Sequence, residues 1–232
     1  MKVESLLADG AAALAFPLSS DQLERLVHYH AELSRWMRRI NLVARETSAE
    51  QLVELHFLDS LTMAPLVLGH PAQCLLDIGS GAGFPGLVLA ALFPTVPVTL
   101  LEPRQKRATF LRHVVRLLAL DQVQVVEERA EQFSGKESRI YSHITGRAVA
   151  DPATFLYLAE PLAAPDTEVV LFLARQQSLA ALPQELQLRW CLHAQQEVEL
   201  PFSRAPRFLA SMRRIGSVSA VTPHSGFPPN GS

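Results

Sequence analysis

The feature that most constrains this 232-residue chain is a change of hydrophobic period at Cys74. From there, apolar runs of strand length alternate with segments of helical spacing: CLLDI at 74–78, PGLVLAALF at 85–93, VTLLE at 98–102, ATFLRHVVRLLAL at 108–120 and VQVVEE at 123–128. Continuous apolar strands alternating with helices predict a parallel sheet covered on both faces. Further strands are predicted at SHITGRA (142–148), EVVLFLA (168–174), 189–199 and RFLASMRRI (207–215). Between the last two only the short connection SRAP intervenes, too short for a crossover helix, so they are expected to pair antiparallel. The predicted fold is α/β, a doubly wound, Rossmann-like, mostly parallel sheet with an antiparallel C-terminal hairpin.

Ahead of this alternation the chain reads as helices. Ser19 with Gln22 forms a capping-box pattern before a helical stripe of Leu23, Leu26, Val27, Leu33 and Met37. A second start at Thr47 and Ser48, with Glu50 and Gln51 at capping distance, leads into a predicted helix over LVELHFLDSLTMAPLVL. The expected organisation is a helical N-terminal extension (1–70), a core (71–215) and a disordered tail (216–232) rich in Gly, Pro and Ser. No apolar stretch approaches the roughly 20 residues of a membrane span, and the N-terminus lacks a continuous apolar segment of secretory type. Cys74 and Cys191 provide no disulfide framework and both fall in strand-like apolar segments, which predicts buried, inert thiols in a cytoplasmic protein. No metal-ligand spacing is evident.

The formal charge is −2, which argues weakly against nucleic acid as partner, but the distribution is uneven. Arg104, Lys106, Arg107, Arg112 and Arg116 cluster between Pro103 and Leu120 with no acid among them, and Arg204, Arg207, Arg213 and Arg214 follow Glu199, again with no acid.

Immediately after the first strand stands DIGSGAGFPG (77–86). Ligands of open parallel sheets bind beyond the carboxyl ends of the strands, and glycines there remove the Cβ atoms that would hold a ligand off the backbone. Gly81, Gly83 and Gly86 match the dinucleotide pattern G-x-G-x-x-G. Glu102 ends the second strand, where a carboxylate can accept both hydroxyls of a ribose. Asp77, however, precedes the first glycine, and a carboxylate there would repel a pyrophosphate but suits a cationic ligand. D-x-G-x-G-x-G resembles the methyl-donor site of S-adenosylmethionine-dependent methyltransferases, and with some seventy residues ahead of it this favours S-adenosylmethionine over NAD(P), Gly79 and Gly81 leaving the backbone open to the ligand.

DIGSGAGFPGLVLA, followed by LEPRQKRATFLR, EERAEQF and ITGRAVA and preceded by INLVA and HFLDSL, resembles the bacterial small-subunit (16S) ribosomal RNA guanine-N7 methyltransferases, the glucose-inhibited division protein B family, from about residue 20 to about 215. The resemblance implies a class I methyltransferase sheet, S-adenosyl-L-methionine as cofactor and 16S ribosomal RNA, within the small subunit, as partner; a monomer is the default expectation. It also implies cofactor contacts at Gly79, Phe84, Ala130, Glu131 and Arg147. The sequence departs from the family pattern at Leu55, before His56, where arginine is frequent, and at Arg175 and Gln176, where lysine and glycine are usual.

Guanine N7 has a free lone pair, so methyl transfer to it needs no general base, and positioning supplies much of the rate. Arg147 is expected to orient the reacting groups, and Arg104, Lys106, Arg107 and Arg112 or Arg116 to hold phosphates. His56 and Asp59, i and i+3 on one helix face, are expected to serve packing or a structural hydrogen bond. Rival readings are an NAD(P)-dependent oxidoreductase, a non-catalytic binding module and a methyltransferase acting on a small molecule.

Overall fold

The computed structural model describes residues 2–44, 47–68, 73–133, 140–173, 179 and 181–216. Arg175, Gln176 and the predicted tail beyond Gly216 lie outside the described residues.

The chain opens with helices α1 (Val3–Ala13), α2 (Ser20–Met37), α3 (Ala49–Leu52), α4 (Asp59–Leu61) and α5 (Ala64–Leu68), and a π-helical turn, Val53–Leu58, joins α3 to α4. Strand β1 (Leu75–Ile78), helix α6 (Gly86–Leu92), β2 (Val98–Leu101), α7 (Gln105–Leu117), β3 (Val123–Val126) and β4 (His143–Gly146) follow. Helix α8 (Pro152–Ala159), β5 (Glu168–Leu173), α9 (Gln184–Gln187), β6 (Trp190–Glu199) and β7 (Pro206–Arg214) complete the order.

Among the described residues, seven strands form one sheet in the order β3-β2-β1-β4-β5-β7-β6. Strands β1 to β5 are parallel, and β7 runs antiparallel to both β5 and β6, as the short β6–β7 connection requires. Period-two alternation sends Leu75, Val98, Leu100, Val170 and Leu209 to one face and Leu76, Leu101, Ile144, Val169 and Met212 to the other, giving two apolar layers.

The N-terminal helices belong to the first layer: Leu6, Tyr29, Leu33, Phe57 and Leu58 are no more than 1% exposed within it. Burial of each such side chain stabilises the fold by about 1.5–3 kcal/mol, so the extension shares one core with the sheet. Ser19–Gln22 and Ser48–Gln51 are both reciprocal capping boxes, as their spacing predicts. Helix α2 also closes the end of α6: Gln22 Nε2 donates to the Leu92 carbonyl at 3.1 Å and Arg25 Nε to the Ala91 carbonyl at 2.5 Å, satisfying oxygens that a helix C-terminus leaves open.

Three expectations need correction. The segment predicted as one helix is interrupted by the π turn and by a turn at Thr62–Met63, so it does not continue straight into α5. Cys191 is exposed rather than buried, because β6 forms the sheet edge and displays alternate residues to solvent, and Cys74 is only partly buried. Finally, the basic residues after Glu199 are paired by acids distant in sequence: Arg207 with Asp59, Arg213 with Glu168 and Arg214 with Glu160, while Arg204 pairs with Glu199 itself.

Candidate functional site

Strands β1 and β4 are neighbours, and from them the strand order runs outward in opposite directions. This is the topological switch point at which a crevice opens beyond the carboxyl ends of the strands. The glycine loop fills the turn after β1. Gly79 and Ser80 N–H groups donate to the Leu101 carbonyl at 2.7 and 3.1 Å, tying the loop to the end of β2.

The glycines differ in what they permit. At Gly83 (φ +99°) a Cβ would meet the Tyr29 hydroxyl and stand 2.7 Å from Leu87 Cβ, and at Gly86 it would stand 2.7 Å from Asp77 Oδ2, so close packing excludes a side chain. At Gly81 (φ +60°) such a Cβ would reach only ordinary contact, 3.8 Å from Arg107 Nη1 and from the Gly79 carbonyl, which leaves a loosely covered cradle over the backbone bordered by Arg107. Val149 stands against Gly79, its Cγ2 2.8 Å from where a Cβ would lie. Tyr29, from α2, donates its hydroxyl to the Ala82 carbonyl and props the loop from below.

Two acids flank the loop as the sequence predicts. Asp77 is fully buried; its Oδ2 accepts the Gly86 N–H at 2.9 Å, while Oδ1 has no hydrogen-bond partner among the described residues. Burial raises its pKa to about 7 against the lowering effect of the Gly86 N–H. Glu102, 2% exposed, accepts the Gly81 N–H at 2.9 Å through Oε2 and the Arg104 N–H at 2.8 Å through Oε1. Each oxygen retains a second lone pair.

Arg147, at the end of β4, turns toward the N-terminal helices. Its Nη1 donates to the Leu55 carbonyl at 2.7 Å and to Asp59 Oδ2 at 2.8 Å, and its Nη2 lies 2.6 Å from His56 Nδ1. A guanidinium only donates, so His56 Nδ1 accepts and the imidazole proton sits on Nε2. Burial first, and the Arg147 charge second, push the His56 pKa down to about 3, which keeps the ring neutral. His56 stacks on Phe84 with ring centroids 4.9 Å apart, and the Arg147 guanidinium carbon lies 5.2 Å from the Phe84 centroid. Asp59 accepts Arg207 Nε at 2.8 Å on its other oxygen. Sequence spacing places His56 and Asp59 together, but their link to Arg147, 88 or more residues away, has no local signal.

The other expected residues are dispersed around this centre. Phe84 is 5% exposed, its ring packed against Tyr29, His56 and Phe57. Ala130 and Glu131 lie in the turn after β3, Ala130 packed against the second apolar layer and Glu131 exposed. Arg107 reaches the loop mouth, its Nη1 3.8 Å from a Cβ at Gly81 and its Nη2 3.3 Å from the Asn41 carbonyl. Arg104 and Lys106 are exposed beside it, whereas Arg112 is paired with Glu127 at 2.9 Å. Among the described residues no helix is long and apolar enough to cross a membrane, and no group of three or more His, Cys, Asp or Glu is placed to hold a metal ion.

Comparison with known proteins agrees with this fold. The fold is shared with human methyltransferase 10 domain containing protein at a TM-score of 0.55 and 15% identity, covering 84% of this chain and 99% of that one. The chain is 38% identical over 214 residues to ribosomal RNA small subunit methyltransferase G of Desulfotalea psychrophila, covering 89% of this chain and 96% of the relative. With the protein of the same name from Dichelobacter nodosus it shares 45% identity over 153 residues, 66% of this chain and 70% of the relative. These relationships set aside the oxidoreductase and non-catalytic readings of the glycine loop. Residues 22–209 match the family GidB, described as rRNA small subunit methyltransferase G, and the chain belongs to that family of ribosomal RNA methyltransferases.

Proposed function

We propose that the crevice at the β1–β4 switch point binds S-adenosylmethionine and that the enzyme methylates N7 of a guanine in 16S ribosomal RNA, acting as a cytoplasmic monomer on the small ribosomal subunit. The observation that carries the reading is the loosely covered backbone at Gly81 between two acids, one of them buried with an unpartnered oxygen. These residues fit the cofactor. Asp77 Oδ1 is an acceptor awaiting a cationic donor, and an ammonium beside it would hold the carboxyl ionised at neutral pH. Glu102 has lone pairs left for the ribose hydroxyls after its two backbone bonds. Backbone at Gly79, Gly81 and Phe84 would line the methionine end, and Ala130 and Glu131 the adenine edge.

When bound, S-adenosylmethionine supplies a methyl group on a positively charged sulfur. Asp77, Glu102 and the backbone at Gly81 would hold it so that this methyl could be offered to the lone pair of guanine N7, an atom that carries no proton. No proton moves in this step, so no side chain is needed as a base. What the chain contributes is alignment, for which about 7–11 kcal/mol of barrier is available from proximity and orientation. Arg147, fixed beside the loop by three acceptors, orients the reacting groups. Arg104, Lys106 and Arg107, at the loop mouth, hold RNA phosphates, and they support an RNA substrate despite the net charge of −2.

The test is incubation of the full chain with methyl-labelled S-adenosylmethionine and small subunits or 16S RNA, followed by nucleoside mass spectrometry. One 7-methylguanosine per RNA is expected. Label on another atom, or none under conditions where S-adenosylhomocysteine binds, overturns the proposed substrate.

A further inference from the structure

Resting on that reading, we infer that the turn at Leu55–Asp59 is the device that aims Arg147, with Asp59 as its positioning residue, so that the N-terminal helices form part of the catalytic unit rather than an appendage. The geometry begins with the π turn. Where the π turn ends, the backbone N–H groups that follow it donate to the Glu54 and His56 carbonyls, and the Leu55 oxygen between them accepts Arg147 Nη1 at 2.7 Å. π turns of this kind inside helices are frequent at functional sites. One turn thereby presents three acceptors of different type to a single guanidinium: a backbone oxygen, a neutral imidazole nitrogen and a carboxylate.

The carboxylate itself is fixed from behind. Asp59, 5% exposed, has one oxygen on Arg147 and the other on Arg207 Nε, each at 2.8 Å, so it cannot rotate without giving up a charged partner. Arg207 lies at the start of β7, and the same turn is pinned again where Glu54 Oε1 accepts the Phe202 and Ser203 N–H groups at 2.7 Å in the β6–β7 connection. Arg147 is thus held between two rigid bodies, β4 behind it and a helical turn braced on the C-terminal hairpin in front. Guanidinium–carboxylate pairs impose direction as well as energy, and here that direction is set beside the Phe84 ring at the glycine loop.

A merely structural ion pair would change stability and leave the chemical step alone. The test compares the full-length protein with Asp59→Asn, Arg147→Lys and the double variant, measuring single-turnover methyl transfer to 16S RNA and calorimetric binding of S-adenosylhomocysteine. Asp59→Asn is expected to lower the transfer rate at least tenfold, keep thioether affinity within twofold, and add nothing to Arg147→Lys. Full activity in Asp59→Asn, or losses that multiply in the double variant, overturn the inference. Should Asp59→Asn fail to fold, His56→Gln, which keeps an acceptor for Nη2, must retain the rate while His56→Leu loses it; equal rates for the two overturn the inference. A wild-type chain that binds the thioether yet methylates no 16S RNA overturns the proposed function itself, an outcome distinct from an active wild type with an active Asp59 variant.

Discussion

Gly81 hangs from Glu102: the carboxylate at the end of β2 takes the Gly81 N–H at 2.9 Å with one oxygen, while its other oxygen takes the N–H of Arg104, which caps α7, at 2.8 Å. One side chain therefore fixes both the loop after β1 and the helix after β2. Glu102→Gln keeps the shape but turns an amide NH₂ toward one of the two N–H donors. Hydrogen bonds to charged groups contribute about 1.5–3 kcal/mol each. Calorimetry with S-adenosylhomocysteine is expected to show at least tenfold weaker binding, with a lowered melting temperature in the absence of ligand. Undiminished affinity would show that Glu102 anchors the loop without touching the cofactor.

Two neighbouring glycines separate loop folding from loop function. Alanine at Gly81 meets nothing nearer than 3.8 Å and bears only the left-handed backbone penalty, about 1–2 kcal/mol. Its methyl group nevertheless projects into the cradle. Alanine at Gly83, whose φ of +99° lies beyond the left-handed region that side chains tolerate, carries a larger backbone penalty and collides with Leu87 Cβ and the Tyr29 hydroxyl, an overpacking cost of roughly 1–3 kcal/mol more. Chemical denaturation should therefore rank Gly83→Ala as clearly the less stable, while Gly81→Ala folds near normally and loses thioether binding. The opposite ranking would mean that the cradle lies elsewhere along the loop.

Much of this was legible in sequence because it is local. The strand–loop–helix succession, both capping boxes and the antiparallel hairpin follow from period, spacing and connection length within a few residues. What stayed hidden depends on distant partners. Tyr29 looks like any stripe residue of α2 until the fold sets its hydroxyl on the Ala82 carbonyl, and the C-terminal arginines look like a basic patch until Asp59, Glu160 and Glu168 arrive beside them. The π turn was equally invisible, since VELHFL contains no helix breaker and the departure serves a guanidinium that lies 92 positions further on. Exposure of Cys191 follows from edge position, which strand order decides and composition does not.

Asp77 and His56 give stability opposite dependences on pH. The folded pKa of Asp77 is raised to about 7 from an ordinary 3.8, so between those values the folded chain holds a proton that the unfolded chain has released. Stability from this group is therefore greatest below pH 4 and declines as pH rises to 7. His56, lowered to about 3 from 6.5, is neutral when folded and protonated when unfolded across that interval, so its contribution declines as pH falls from 6.5 to 3. Urea unfolding over pH 4–7 is expected to show Asp77→Asn gaining on the wild type as pH increases, and His56→Gln gaining as pH decreases. Parallel curves for variant and wild type would show that neither group titrates abnormally.

Arg107 and Arg104 stand at the mouth of the loop, whereas Arg204 is engaged with Glu199 at 3.0 Å. If the first two neutralise phosphates, removing either charge should reduce the slope of log KM for RNA against log salt by about 0.7, the value for single strands. The Arg104→Glu, Arg107→Glu variant is expected to need more RNA for half-maximal rate at low salt and to respond less to added salt, with thioether affinity little changed. Arg204→Glu serves as the control, making half of that charge change at a residue already paired with Glu199, and its salt slope should equal that of the wild type. A double variant with an unaltered slope would move the RNA path away from α7 and leave the exposed cations there as a solvated helix face.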